Sequence, residues 1–398
     1  MKFQNKIRVI TMLFITLFGM GEVYSQNSAS ILKSIEQNNL LLQAYRAETD
    51  AEILENRTGI TLSNPEVEFH HLWVPPTESK TRQDISVSQS FDIATISGIR
   101  RKLAGKSNEI LEEEYREERI ATLLAAKITL INLTRTNALI KIMEQRAKDA
   151  QQLAESYRIG VENGHNTIIE QNKAQINAIT INTELQNLKL EQQQLLTELR
   201  FMNGGIAIEY SDTIFDNQLP PANFDEWYKQ IEDQLPLYAA AQKATELSSK
   251  QVALSRMEGL PEISAGYMSE GLKKGDKAHG ITLGISIPLW ANKNNIKQAK
   301  AAEHASRLHE KSVEQQLYYT LYSQYEKCKT LNMNVVMLRK GVNEANHSAK
   351  LYKALTAGQI SLTDYIVEMQ MIYDMFTQLF TLECEYQTAV AELRAVEL

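Results

Sequence analysis

Cysteine and proline are scarce in this chain: 398 residues hold two cysteines, Cys328 and Cys384, and eight prolines. The first shortage excludes a disulfide-stapled scaffold. If the chain reverses near residue 359, the two thiols lie 31 and 25 residues from the turn. The offset, about 9 Å at 1.5 Å per residue, argues against pairing within one chain. The prolines stand at 65, 75, 76, 220, 221, 236, 261 and 288, leaving 77 to 219 and 289 to 398 without one. Proline breaks helix interiors, so long helices are expected in those gaps. Positive charge is also short, 42 Lys and Arg against 49 Asp and Glu, which excludes nucleic acid as a partner. Past the first residues there is no apolar run of spanning length, so an exported form of this chain is periplasmic, secreted or a β-barrel. Catalytic motifs are missing too. His309-Glu310 lacks the second histidine of a zinc helix, and there is no phosphate loop, Gly-x-Ser-x-Gly or paired-cysteine motif. His70 and His71, adjacent on a strand, point to opposite faces. No catalytic residue, metal site or cofactor is expected. Met333, Met337, Met369, Met371 and Met375 read as core filler.

What is present begins with an export signal. Lys2, Lys6 and Arg8 precede an apolar run from Val9 to Met20 and then Val23-Tyr24-Ser25. Residues 1–25 are a secretory signal peptide, cut before Gln26; about 12 apolar residues are too few for the ~20 that a spanning helix requires. Its loss removes three positive charges and Glu22, taking the net charge from −7 to −9. With no cysteine near the cut, the mature chain is expected to be unacylated.

The second half of the sequence repeats the first. Pro65-Glu66-Val67 returns as Pro261-Glu262-Ile263 and Ile85-Ser86-Val87 as Ile281-Thr282-Leu283, both shifted by 196 residues. The first repeat, 26–203, reads as a helix (28–61), a β-hairpin (65–93), a long helix (95–158), a tip turn (159–167) and a return helix (167–202). The second, 225–398, reads as a helix (225–257, interrupted at Pro236), a hairpin (261–289), a long helix (292–355), a tip turn (356–361) and a return helix (361–396). In the first long helix Leu124, Ile128 and Ile131, then Ala147, Ala150, Leu153 and Tyr157, recur at three and four residues, the spacing of helices packed side by side. The linker, 204–224, has Ile206, Ile208 and Tyr210 in alternation and is expected to add a short strand.

The hairpins carry the period of a sheet with lipid on one face and water on the other. Ile281, Leu283, Ile285, Ile287 and Leu289 alternate with Thr282, Gly284, Ser286 and Pro288. Ile85, Val87, Phe91 and Ile93 alternate with serines and Asp92, with Gln89 interrupting the apolar side. The lipid-facing candidates are Val87, Phe91, Ile281, Leu283, Ile285 and Ile287. Trp73, Tyr267 and Trp290, near strand ends, are candidates for an aromatic girdle. Four strands cannot close a pore, since small barrels need about eight. A barrel here requires several chains.

Each long helix ends in one motif, Gly164-His165-Asn166-Thr167-Ile168-Ile169-Glu170 and Gly358-Gln359-Ile360-Ser361-Leu362-Thr363-Asp364. Glycine stops the incoming helix, and Thr167 with Glu170, or Ser361 with Asp364, forms a capping box on the outgoing one. A leader, two copies of helix, hairpin, long helix, turn and helix, and a central linker together resemble the TolC family of outer-membrane efflux proteins, over essentially the whole mature chain.

That resemblance implies a mixed α+β membrane protein whose long helices form a periplasmic α-barrel. Each chain would give four strands to a trimeric, twelve-stranded outer-membrane β-barrel. It implies a homotrimer held in outer-membrane lipid and joined by a periplasmic adaptor (membrane fusion) protein to an inner-membrane resistance-nodulation-division pump. The tip residues Gly164, Thr167, Glu170, Gly358 and Ser361 would then dock the adaptor. Asp364 matches the first acidic ring of the family's closed aperture; the position three residues on is Val367, so the second ring is missing or is replaced by Glu368. Pro288 matches the family's proline between strand and long helix, whereas Asp92 stands at the first junction. The short mature chain is closest to compact members paired with heavy-metal pumps, which favours metal cations over drugs as cargo. A type I secretion channel is the alternative within the family. A periplasmic or secreted coiled-coil interaction protein without a pore is the alternative of another class.

Overall fold

A computed structural model describes residues 25–73, 82–216, 218–271, 276–290, 292–345 and 347–398; all of the leader except Ser25 lies outside them. Helices α1 (Ser25–Asn38) and α2 (Leu40–Glu55) precede strands β1 (Glu66–Leu72) and β2 (Arg82–Phe91). A short α3 (Ile93–Ile96) leads into α4 (Ile99–Glu162) and α5 (Ile168–Met202). Then come α6 (Phe224–Ile231), α7 (Pro236–Met257), β3 (Glu262–Gly271), β4 (Lys277–Ser286), α8 (Asn295–Ala345), α9 (Ser348–Thr356) and α10 (Leu362–Leu393). The 64 residues of α4 extend about 96 Å at 1.5 Å each.

Local chemistry sets the breaks. Asn39 divides the single helix expected at 28–61: its Oδ1 accepts from the Leu42 amide (2.8 Å) and its Nδ2 donates to the Met202 carbonyl (2.8 Å). A side chain that satisfies backbone groups in this way competes with the helix ladder. Asp92, at the junction where the resemblance expects proline, caps α3 by accepting from the Thr95 amide (2.7 Å). Gly98, in the left-handed region at φ 72°, then separates α3 from α4.

The chain divides into two compact units, each drawing on both sequence halves. One holds the residues up to Gln43 with 118–228 and 319–398; the other holds 44–117 and 229–318. In the first unit, Ile31 and Ile35 of α1, Ala126, Leu130 and Leu133 of α4 and Leu199 of α5 form one buried cluster. A second cluster joins Ile140, Met143, Ala150 and Ala154 of α4 to Ala174, Ala178, Ile181 and Leu185 of α5 and Leu362 of α10. Ala147, Leu153 and Tyr157 pack against it, as their spacing predicts. The upper half of α4 departs from expectation: Leu124, Ile128 and Ile131 are half-buried, and the deep ridge is Leu123, Ala126, Leu130 and Leu133. The helix is apolar on two adjacent flanks, and spacing alone does not say which flank meets the thicker neighbour.

The linker also differs from expectation. Among its described residues there is no strand. Its alternation arises because Ile208 and Tyr210 pack on the α1, α4 and α5 cluster. Tyr210 Oη lies 2.8 Å from Thr134 Oγ1, and Asn137 Nδ2 donates to the Asp212 carbonyl (3.1 Å). The Tyr210 hydroxyl and the Asp212 carbonyl thus find their partners on α4, not on a neighbouring strand. Cys328 and Cys384 are both buried free thiols. Met333, Met337 and Met371 are not core residues of the single chain but exposed on its surface.

In the second unit, Ala94 and Ile99, with Leu103, pack on Leu254 of α7. Lys243 bonds Glu113 at 2.6 Å and Lys106 bonds Glu246 at 2.9 Å, both tying α7 to α4. The four strands of this unit form one antiparallel sheet in the order β1-β2-β3-β4. Strand β4 begins at Lys277 and ends at Ser286, so Ile287 and Leu289 lie beyond it. Pro288 has no amide to give the ladder, and pairing stops ahead of it.

Candidate functional site

Residues directly opposite each other in an antiparallel pair share a face, so the register assigns every strand side chain to one side. Val67 faces Val87, Phe69 faces Ile85, Val87 faces Tyr267, Phe91 faces Ile263, and Tyr267, Ala265 and Ile263 face Ile281, Leu283 and Ile285. All of these lie on one side of the sheet. The other side carries Glu66, Glu68, Asp84, Ser86, Ser88, Ser90, Glu262, Ser264, Gly266, Glu270, Thr282, Gly284 and Ser286, with His70, Leu72 and Met268 as its larger side chains. The two hairpins, far apart in sequence, therefore build one continuous apolar face and one continuous acidic, small-residue face.

The apolar face is bare. Ile281, Leu283 and Ile285 are 81%, 75% and 69% exposed, although such side chains gain about 1.5–3 kcal/mol each from burial. Val87 is also exposed, and Phe91, next to the α3 junction, is half-buried. Gln89, the interruption in the pattern, donates from Nε2 to the carbonyls of Ser63 (2.7 Å) and Ser90 (2.9 Å), which removes most of its need for water. Of the girdle candidates, Trp73 follows the loop end of β1 and Trp290 lies past the helix end of β4, both exposed. Tyr267 lies mid-strand, level with Val87 and Ile281, because β4 starts earlier than its alternation suggests. Among the described residues strands β1 and β4 each pair on one side only, leaving two open edges of the kind that proteins otherwise cover.

The first unit holds the two helix reversals. Gly164 and Gly358 take φ of 72° and 67°, in the left-handed region. At the first reversal the His165 amide donates to the Gly160 carbonyl (2.7 Å); at the second the Gln359 amide donates to the Ala354 carbonyl (2.8 Å). Both capping boxes form. The Thr167 amide donates to Glu170 Oε2 (2.8 Å), and the Ser361 amide and hydroxyl donate to Asp364 Oδ2 (3.2 and 2.7 Å). The structure brings the two reversals together: Lys173 Nζ donates to Thr363 Oγ1 (2.9 Å), and Leu362 is buried against Ala174 and Ala178. Asp364, Val367 and Glu368 are exposed. Through its hydroxyl first and its amide second, Ser361 holds the Asp364 carboxyl below the usual carboxylate range. The cap it makes is therefore complete above the ordinary carboxylate pKa and is lost only as pH falls through the depressed value.

Replacing Gly164 or Gly358 by alanine meets no neighbouring atom, so the cost is that of the left-handed backbone alone, about 1–2 kcal/mol each. Gly341→Ala, within α8 and equally unobstructed, should instead stabilise by about 0.5–1 kcal/mol. Thermal melting of the three variants should show these opposite signs.

Between the reversals and the linker lies a residue that motif reading passes over. Arg146 of α4 is 6% exposed; its guanidinium carbon sits 4.3 Å from the Tyr373 ring centroid and its Nη2 donates to Gln370 Oε1, both on α10. Glu184 of α5 lies 3.6 Å away. Burial lowers the Arg146 pKa and pushes Tyr365 and Tyr373 up to about 12. The signal was a charge standing between Met143 and Ala150 on the buried flank of α4, where an unpaired one is costly. Arg146 thus clamps α10 to α4.

Among the described residues no helix is long and apolar enough to cross a membrane, and no cluster of His, Cys, Asp or Glu could hold a metal ion. The sequence matches no family model and no curated protein. Solved structures do match. The channel CusC aligns at TM-score 0.75 and 15% identity over 93% of this chain and 92% of that one. The VceC outer membrane protein of Vibrio cholerae aligns at 0.73 and 12% over 94% and 98%. The CmeC outer membrane channel of Campylobacter jejuni aligns at 0.72 and 14% over 93% and 85%.

Proposed function

We propose that this chain, whose mostly helical fold with a four-stranded antiparallel sheet is that of the outer-membrane channels, is the exit duct of a tripartite efflux system. The observation that carries the reading is the sheet, with its bare apolar face, acidic opposite face and two open edges. In order along the sheet the strands alternate in direction, so β4 of one copy can pair antiparallel with β1 of the next. Repeating this contact closes a ring, as a heterologous interface does when its rotation closes. Three copies give twelve strands, enough for a barrel with a water-filled interior, lipid against the leucine and isoleucine face and the carboxylates lining the lumen.

The internal duplication of 196 residues supplies the second hairpin that each copy contributes. In the helical unit, exposed stripes support the same assembly: Ile169, Ile176, Ile179 and Leu190 on α5, and Tyr319, Met333, Val336 and Met337 on α8. In the trimer these stripes face each other across neighbouring copies, forming the periplasmic α-barrel. The paired reversals Gly164 to Glu170 and Gly358 to Asp364 form its tip and dock the adaptor, which links the duct to an inner-membrane pump. Conduction is passive, energy coming from the pump. Metal cations are the cargo class most consistent with Glu66, Glu68, Asp84, Glu262 and Glu270 on the polar face, because rings of carboxylates favour cations.

The test is current through the purified oligomer in a planar bilayer. Wild type should conduct at a low level and select cations; Asp364→Ala should conduct more and select them less, because three copies of Asp364 ring the aperture. Unchanged current and selectivity, with only a lowered melting temperature, would leave Asp364 as a plain helix cap. Absence of any channel from wild-type protein would refute the duct.

A further inference from the structure

At its loop end the apolar face changes character. His71 faces Gln83 across β1 and β2, and Lys277 faces Gly271 across β3 and β4, with His279 two residues along β4 on the same side. Gln83 Nε2 lies 3.3 Å from His71 Nδ1; an amide nitrogen only donates, so Nδ1 accepts and Nε2 carries the ring proton. Trp73 meets His71 edge to face at 4.7 Å. Tyr267 Oη lies 2.6 Å from His279 Nδ1, with the two rings stacked, which holds the imidazole against the tyrosine.

Charge is segregated across the sheet. Among the strand residues every carboxylate is on the opposite face, and the only formal charge on the apolar face is Lys277. These groups stand at opposite edges of the sheet, His71 bordered by Trp73 on the β1 side and Lys277 with His279 on β4. The proposed ring sets β4 of one copy beside β1 of the next; where the apolar rows end, the groups complement a negatively charged headgroup at the depth of a membrane's polar surface. We propose that Lys277 and His279 of one copy, with His71 of the next, form a headgroup rack that selects lipids of net negative headgroup charge over zwitterionic ones. The ammonium of Lys277 meets the uncompensated phosphate charge, and the Nε2–H of His71 from the neighbouring copy donates to the phosphate oxygens. This rests on the reading of the sheet as part of a membrane barrel; a soluble sheet has no such neighbour.

The experiment uses the full chain reconstituted in phosphatidylcholine vesicles containing a trace of spin-labelled phosphatidylglycerol or spin-labelled phosphatidylcholine. The fraction of each label immobilised at the protein gives the relative association constant. Wild type should prefer the anionic label several-fold, and Lys277→Gln should lose roughly fivefold of that preference, the share of one interfacial cation. His71→Ala/Lys277→Gln/His279→Ala should show none, while His70→Ala, on the opposite face across from Asp84, should leave it intact. Equal preference in wild type and the triple variant, or loss in His70→Ala, overturns the rack while the barrel stands. Wild-type protein that does not float with the vesicles overturns the barrel reading and the rack with it.

Discussion

Arginine in place of Leu283 should stop the chain assembling in a membrane, whereas arginine in place of Ser286 should be tolerated. Leu283 lies in the middle of β4, opposite Ala265, on the bare apolar face. Near a bilayer midplane an arginine there costs about 2–4 kcal/mol, and a trimer incurs it three times. Ser286 is opposite Glu262 on the other face. An arginine at that position gains a carboxylate across the strand pair and keeps its contact with water. The yield of heat-sensitive oligomer in detergent extracts of the membrane fraction reads the difference. Equal yields for the two variants would refute the lipid-facing assignment of the apolar side.

Leu133→Ala should destabilise the helical unit by about 2–5 kcal/mol, since Leu133 is fully buried where α1, α4 and α5 meet and its removal leaves a cavity that stiff helices cannot collapse. For a unit of this size that is a fall of roughly 10 °C in melting temperature. Leu190→Ala is the matched control. Leu190 is 59% exposed in the single chain, so the change should be nearly neutral in dissociated protein and weaken only the assembled form. Calorimetry in a dissociating detergent, then in one that keeps the oligomer, separates the two effects. Similar losses for both variants in dissociated protein would contradict the burial described for Leu133.

Much of this was legible in the residues because the governing constraints are local. Strand alternation fixes which side chains share a face, and glycine followed by Thr167 and Glu170, or by Ser361 and Asp364, carries its own hydrogen bonds. What sequence reading missed depends on neighbours. The deep ridge at Leu123, Ala126, Leu130 and Leu133 is chosen by where α1 and α5 lie, not by the spacing within α4. The linker's alternation served packing instead of a ladder: Ile208 and Tyr210 lie on the cluster of α1, α4 and α5, and Thr134 and Asn137 bond the Tyr210 hydroxyl and the Asp212 carbonyl. Met333, Met337 and Met371 looked like filler because methionine usually is; only the fold shows them on the surface. Arg146 was hidden because a lone arginine in an apolar period has no motif, and its partners Gln370 and Tyr373 stand more than 220 residues away.

The central claim, that the bare face of the sheet meets lipid in an oligomeric barrel, is tested most directly by fractionating cells that express the full chain. The account predicts recovery in the outer membrane, extraction only by detergent, and a complex that migrates as a trimer until boiled. Recovery as a monomer in the soluble periplasmic fraction, with no detergent needed, would contradict it.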